Sequence, residues 1–165
     1  MNRHKLLQEA IVLSCFDIAN YFIKLANETG SFISNSKLQK LVYYSQAWHL
    51  ALYAEPLFSE DFEAWVHGPV IPALYQKYKS FGWQPILDDP NPELDPELAE
   101  KTQTFLNEIV EQYFSCDAYE LEQMTHAEAP WNRARGGLRP DQLSSAVIEK
   151  EWMKEYYESR AQEQD

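Results

Sequence analysis

Two histidines are the side chains best suited, by type and position, to acid–base chemistry. His67 stands directly before a Gly-Pro pair, where a turn can present its imidazole as a general base. His126 opens a short motif that continues through Glu128, Pro130 and Trp131. Each has a structural alternative. His67 can be a polar strand residue that bonds to backbone, to a tyrosine or to a partner. His126 can satisfy the carbonyls at a helix end, where the helix dipole favours its charged form. We favour these alternatives over catalysis.

Three arginines form the one basic cluster in the acidic second half of the chain. Arg133, Arg135 and Arg139 surround a Gly-Gly pair. Guanidinium groups bind phosphates and carboxylates bidentately, and a glycine-rich turn offers backbone N–H groups. The cluster could therefore hold a nucleotide-like anion or an acidic partner segment. The favoured alternative is a solvated loop whose arginines neutralise neighbouring glutamates.

The pattern of ligand-type side chains argues against a metal site or a nucleophilic enzyme. There is no His pair at i,i+4 spacing and no C-x-x-C among the six candidate ligands: His4, His49, His67, His126, Cys15 and Cys116. The sequence also lacks a P-loop, a G-x-G-x-x-G and a G-x-S-x-G motif. We therefore expect no catalytic residue, no cofactor and no metal.

A strongly apolar helix must position these residues. Ser36 and Gln39 form an S-x-x-Q capping box, which predicts a helix that begins at Lys37 and is ended by Pro56. Its few polar residues lie in the first half, and a helix that is apolar on most sides is usually surrounded by protein. We therefore expect it to be the central helix of the domain. It is too short, and its first half too polar, to span a bilayer.

A strand and a turn follow the central helix. Residues 62–67 alternate at period two, with Phe62, Ala64 and Val66 on one side and Glu63, Trp65 and His67 on the other. Gly68-Pro69 then breaks the chain, and Pro72 suits the first position of a new helix that ends at Gly82.

The rest of the pattern predicts further helices. Helical spacing runs from Leu7 to Leu25, with a possible restart at Ser14 and Asp17, and stops near Gly30. The other expected elements are a surface loop at 83–95, a helix from Asp95-Pro96, a helix capped by Ser115 or Asp117, a turn from Pro130 to Arg135, and a last helix at about 145–160.

These elements predict a mainly α fold. We expect a single compact helical domain over residues 1–165, with about six helices and a small β-strand or hairpin element near residues 57–70. Its core should span about residues 15–155, between a short N-terminal extension and a polar C-terminal tail.

Composition limits the function classes. The net charge is −12, concentrated in the second half, which makes nucleic-acid binding unlikely and suits a partner with a basic surface. A charged, soluble helical surface explains the same charge and is the favoured interpretation. The two cysteines show no pairing signature and no signal peptide or membrane anchor is recognisable, so we expect a reduced, cytoplasmic protein.

The chain has 5 Trp and 10 Tyr, and aromatics beyond those that the core needs could form an exposed patch, although we expect the surrounding helices to cover most of those on the central helix. Aromatic residues on or beside loops are expected to reach the surface, where they often centre protein–protein interfaces. The candidate partner-binding residues are Trp65, His67, Tyr75, Trp83, Arg133 and Arg135. The residues assigned to a structural motif are Gly68, Pro69, His126, Pro130 and Trp131.

An ordered set of short motifs gives the chain a family resemblance. The set consists of Leu38-Gln39-Lys40-Leu41, Tyr43-Tyr44, Trp48-His49-Leu50, Pro56-Leu57-Phe58, Glu63-Ala64-Trp65, Gly68-Pro69-Val70 and Leu74-Tyr75, followed by Thr125-His126-x-Glu128-x-Pro130-Trp131. It resembles the Panacea domain of the SocA-like or GepA-like antitoxins over roughly residues 15–155. Position 67 departs from the family pattern, which often has Tyr there, and this weakens a catalytic role for His67.

The resemblance implies an intracellular, non-catalytic antitoxin of a bacterial or phage toxin–antitoxin pair. It implies neutralisation of a cognate toxin by direct binding or, as in one family member, delivery of the toxin to a ClpXP-type protease. Two alternatives stay open. One is a small cytoplasmic hydrolase or nucleotide-binding enzyme that uses His67, His126 and the Arg133, Arg135 and Arg139 cluster. The other is a phage-encoded interaction protein that blocks a host defence enzyme.

Overall fold

The computed structural model describes residues 12–87 and 98–163, and it confirms the mainly α fold. The helices of the described residues are α1 (Cys15–Thr29), α2 (Asn35–Tyr53), α3 (Pro72–Tyr78), α4 (Glu100–Tyr113), α5 (Ala118–His126), α6 (Ala129–Arg135) and α7 (Lys150–Glu163). A 3₁₀ turn, Lys79–Phe81, extends α3 up to Gly82. The strands are β1 (Phe62–Trp65), β2 (Gly68–Val70) and β3 (Val147–Ile148).

Helix α2 is the centre of the domain, as its composition predicts. It contacts α1, α3, α4, α5, α7 and β2. Its buried face includes Leu38, Leu41, Val42 and also the polar side chain of Gln46. Because a buried amide must be paired, Gln46 donates to the Phe58 carbonyl at 2.7 Å and accepts from a backbone N–H at 2.7 Å. These two bonds fix the chain that leads from α2 into the sheet.

Both ends of α2 differ from the predicted ends. The helix begins at Asn35, because Ser34 has extended backbone (φ −83°, ψ 167°) and its hydroxyl accepts from the Lys37 N–H. Ser36 therefore lies inside the helix and caps nothing. The helix ends at Tyr53, before Pro56, because Ala54 turns left-handed at φ 58°.

The three strands form an antiparallel sheet in the order β2-β1-β3. The predicted alternation is correct for β1, in which Phe62 and Ala64 are buried, but the strand ends at Trp65 and not at position 67. Strand β3 was not predicted. Its Ile148 pairs with Phe62 and is buried, so the last helix begins at Lys150 and not at 145. A two-residue strand has too few residues to show an alternation.

Helix caps explain most of the remaining boundaries. Ser14 and Asp17 form a full capping box for α1, which is the restart that the sequence offered as an alternative, and Gly30 ends the helix. Of the two candidate caps for α5, Asp117 is the one used, in a capping box with Glu120. Helical spacing before residue 12, the start at Asp95-Pro96 and most of the 83–95 loop lie outside the described residues. Within 12–87 and 98–163, no helix is long and apolar enough to cross a membrane.

Candidate functional site

One open cleft of about 780 Å³ brings together most of the predicted partner-binding residues. It lies between the first turns of α2, the β1–β2 hairpin, the α3–3₁₀ segment and the chain at 141–145. Trp65, His67, Tyr75 and Trp83 all line it, so we call it the aromatic cleft. A cleft of this volume with aromatic walls is typical of a binding site for a ligand or a partner segment.

The aromatic side chains of the cleft are arranged in two edge-to-face pairs. The rings of Trp65 and Tyr75 lie 5.2 Å apart between centroids, and those of His67 and Trp83 lie 6.2 Å apart. The Trp65 indole N–H donates to Glu63 Oε1 at 2.9 Å, which fixes the ring orientation. Trp83 is 78% exposed, so its indole offers a large apolar surface to solvent.

His67 lies at the mouth of the cleft and is tied to α5. Its Nδ1 is 2.6 Å from Glu122 Oε1, while the imidazole itself is exposed. The contact anchors the β1–β2 turn to α5, which packs against β2. The His67 imidazole thereby holds the turn beside Trp83.

Lys40 lies on the floor of the cleft and is only 1% exposed. Its Nζ donates to the Ser36 carbonyl at 3.1 Å and to Ser36 Oγ at 2.8 Å. Burial lowers the pKa of the Lys40 ammonium to about 8, and the nearby Glu122 carboxylate acts in the opposite direction. Residue type and spacing alone did not single out Lys40, because α2 carries several polar residues in its first half.

The hairpin glycine leaves room for this lysine. Gly68 has φ +117°, and a Cβ placed there would meet Thr125 Oγ1 at 3.2 Å and Lys40 Cε at 3.3 Å. Only glycine combines this backbone angle with so close an approach. The structural role predicted for Gly68 thus has a physical reason.

The three arginines do not form a common site. The Arg135 guanidinium is 4% exposed, stacks on Trp131 and donates to the carbonyls of Ala64, Arg139 and Gln142. Since these bonds fix it inside the protein, we leave Arg135 out of the candidate partner surface. Arg133 lies over the Trp152 ring at the surface, and Arg139 contacts Asp141, as expected of a solvated loop.

The His126 motif closes the joint between α5 and α6. His126 stacks on Trp131 with 4.0 Å between ring centroids, and the Trp131 indole N–H donates to the Trp65 carbonyl at 2.8 Å. The His126 carbonyl is satisfied by the Asn132 amide at 2.7 Å and not by the imidazole. Burial lowers the pKa of His126, so its neutral form is favoured, contrary to the helix-dipole expectation.

A buried carboxylate lies at the centre of the same region, at a position that the sequence analysis named only as a member of the His126 motif and gave no role. Glu128 is 7% exposed and accepts from the Tyr44 hydroxyl at 2.7 Å and the Tyr157 hydroxyl at 2.8 Å. Burial raises the pKa of Glu128, and the two hydroxyl bonds act in the opposite direction. These bonds connect α2 and α7 to the start of α6.

The described residues contain no group of three or more His, Cys, Asp or Glu side chains that could hold a metal ion. Both cysteines are free thiols. Burial raises the pKa of the Cys15 thiol to about 12, which is the opposite of what a nucleophilic thiolate requires. His126 does not line the aromatic cleft, so it does not share that cleft with His67.

Comparison with known proteins gives one curated relative. Antitoxin SocA of Caulobacter vibrioides (strain NA1000 / CB15N) is 37% identical over 65 residues, which is 39% of this chain and 35% of that protein. The chain thus matches about a third of the length of this relative. No solved structure matches.

A family model gives the broader match. The model described as "Antitoxin SocA-like, Panacea domain" matches residues 38–132, which is more than half of the chain. This range contains Lys40, Trp65, His67, Tyr75 and Trp83 of the aromatic cleft, and also the whole His126 motif. The chain belongs to the SocA-like antitoxin family that is defined by the Panacea domain.

Proposed function

We propose that this protein is an antitoxin that neutralises a cognate toxin by direct binding through the aromatic cleft, without catalysis. Family membership supports the antitoxin role. The observation that carries the choice of surface is the convergence of Trp65, His67, Tyr75 and Trp83 on one open cleft. Aromatic side chains that cluster around a pocket are the usual energetic centre of a protein–protein interface.

Exposed apolar side chains at the cleft supply the driving force for binding. Trp83 and Leu143 both line the cleft, and they are 78% and 90% exposed. Burying apolar surface contributes about 25 cal/mol per Å², so a covered tryptophan and leucine favour association by several kcal/mol. An interface of roughly 1,600 Å² in total would extend from the cleft over the neighbouring helices.

The net charge of −12 supports a toxin with a basic surface. Opposite charges accelerate encounter and select the partner more than they add affinity. The acidic surface of the chain as a whole would match a basic substrate groove of the toxin, which would be covered and so inactivated. The two free thiols fit a reducing, cytoplasmic setting.

Co-expression with the neighbouring open reading frame tests this function. The neighbour should arrest growth when expressed alone, and should be harmless and recovered as a complex when this protein is present. Trp83→Ala should abolish protection, whereas Tyr119→Ala, which changes a comparably exposed aromatic outside the cleft (67% exposed), should not. Growth arrest that persists in the presence of the wild-type protein would contradict the proposal.

The abundance of the toxin distinguishes the two possible routes. Occlusion predicts a stable complex and an unchanged toxin level. Delivery to a ClpXP-type protease predicts that the toxin disappears when this protein is present and returns in cells without the protease.

A further inference from the structure

The floor of the aromatic cleft has hydrogen-bond donors that are not fully used. The Lys40 ammonium carries three N–H donors, and both bonds found for it go to Ser36. Among residues 12–87 and 98–163, no carboxylate lies within 4.0 Å of Lys40 Nζ. The Ser36 hydroxyl accepts from Lys40, which leaves its own hydrogen for another acceptor. Lysine and serine therefore offer two donors side by side.

The acidic side chains around the cleft already have partners. Glu63 accepts from the Trp65 indole, Glu122 is bound to His67, and Asp141 is in contact with Arg139. Lys79, on the rim, has no ion pair in the described part of the chain. The cleft thus has cationic donors to spare while its carboxylates are engaged. The remaining N–H of Lys40 on the floor suits a carboxylate acceptor of a ligand.

Depth limits the form in which an anion can reach the floor. Lys40 is 1% exposed, whereas Trp83 on the rim is 78% exposed, so the anion must pass below the aromatic walls. A polypeptide that passed through the cleft would bury two stretches of polar backbone there, and each unpaired N–H or C=O costs free energy. A C-terminal chain end would bury only one stretch of polar backbone in the cleft, and it carries its own carboxylate. The walls then suit an apolar side chain next to that carboxylate.

We propose that the aromatic cleft binds the C-terminal carboxylate of the partner toxin. The carboxylate accepts from Lys40 Nζ and Ser36 Oγ, and the last apolar side chain packs on Trp65, Tyr75 and Trp83. This assignment rests on the proposed antitoxin function and names the part of the toxin that the cleft recognises.

A matched pair of dipeptides tests the chemistry without the toxin. N-acetyl-Leu-Phe with a free carboxylate and its C-terminal amide differ only in the charge that Lys40 would bind. Titration at up to about 10 mM, followed by the indole N–H signals of Trp65 and Trp83, should give about a tenfold lower Kd for the acid. Equal affinities, or no shift of either signal, would overturn the assignment.

Three variants show whether the preference comes from the floor. Lys40→Met keeps most of the side-chain volume and should remove the preference for the acid, whereas Lys77→Met, on the exposed side of α3, should keep it. Ser36→Ala gives a second variant in case Lys40→Met does not fold, and it should reduce the preference by about threefold. A Ser36→Ala protein with the wild-type preference would count against the proposal.

The toxin itself then distinguishes the occupant from the function. A toxin extended at its C-terminus by Gly-Ser-Gly should bind at least about tenfold more weakly than the native toxin. Unchanged binding would overturn the C-terminal assignment and leave the antitoxin function intact. No complex with the native toxin would overturn the proposed function and, with it, the identity of the occupant.

Discussion

Glu128 is a carboxylate held away from water by two phenol hydroxyls, and its ionisation should be visible in the stability of the protein. Burial raises its pKa above the ordinary value of 4.5. The folded state therefore binds more protons than the unfolded state above pH 4.5. The stability contributed by this group is complete below that pH, and is lost as the pH rises through the folded-state pKa.

Glu128→Gln should remove this loss. A glutamine oxygen can still accept from Tyr44 and Tyr157, and it carries no charge at any pH. The variant should therefore gain stability relative to wild type between pH 5 and pH 8, as measured by urea unfolding. Glu128→Ala, which leaves two buried hydroxyls without an acceptor, should cost roughly 2–6 kcal/mol at pH 5. A Gln variant whose relative stability does not change with pH would contradict the account.

His126 should show the opposite pH dependence. Burial lowers its pKa below 6.5, so its contribution to stability is present above pH 6.5 and is lost as the pH falls through the folded-state pKa. An NMR titration should place the midpoint of this imidazole below 6.5. His126→Phe keeps a ring against Trp131 and should gain stability relative to wild type between pH 7 and pH 5. A midpoint at or above 6.5 would be inconsistent with the buried geometry.

At the scale of the elements, Gly68 sets how closely the β1–β2 hairpin approaches α2 and α5. Gly68→Ala should cost roughly 2–4 kcal/mol, because the backbone at φ +117° is strained for alanine and the new Cβ presses on Lys40 and Thr125. Gly136→Ala at the end of α6 is the control. It has φ +60° but no atom within 4 Å of the added Cβ, so it should cost only about 1–2 kcal/mol. Equal losses of urea midpoint in the two variants would show that the contact at Gly68 has no effect.

Arg135 joins α6 to β1 and to the loop before β3. Arg135→Met leaves three carbonyls without their donor and should reduce the free energy of unfolding by roughly 2–4 kcal/mol. Arg133→Met, at the surface over Trp152, should change it by less than about 1 kcal/mol. Folded Arg135→Met should bind the toxin with wild-type affinity. A specific loss of binding by folded Arg135→Met would return this residue to the partner surface.

Local sequence signals predicted those parts of the fold that local interactions decide. The Ser14–Asp17 capping box, the alternation of Phe62 and Ala64, and the apolar surface of α2 all lie where the pattern placed them. Strand β3 escaped prediction because its pairing with Phe62 is separated from it by more than eighty residues.

Local sequence signals also indicated where some of the candidate site residues would lie. Trp65, His67, Tyr75 and Trp83 follow one another along the chain near a turn, so their convergence could be expected. Tertiary contacts decide the burial of Arg135 and the place of Lys40 on the cleft floor. Neither residue type nor spacing predicts which of several polar residues a helix will bury.

At the scale of the whole molecule, an acidic helical body surrounds one aromatic cleft. The fold is tied together behind the cleft by Glu128, Arg135 and Trp131. The cleft itself exposes apolar side chains that nothing in the described chain covers. A hydrogen-bonded frame behind an open aromatic surface is suited to binding another protein.

The affinity of the purified toxin for Trp83→Ala tests this claim most directly. Isothermal titration should show at least about a tenfold weaker Kd than for wild type, with Tyr119→Ala within about twofold of wild type. Both substitutions change exposed aromatics, so the fold and the thermal midpoint should stay the same. If Trp83→Ala binds as tightly as wild type, the aromatic cleft is not where this protein holds its partner.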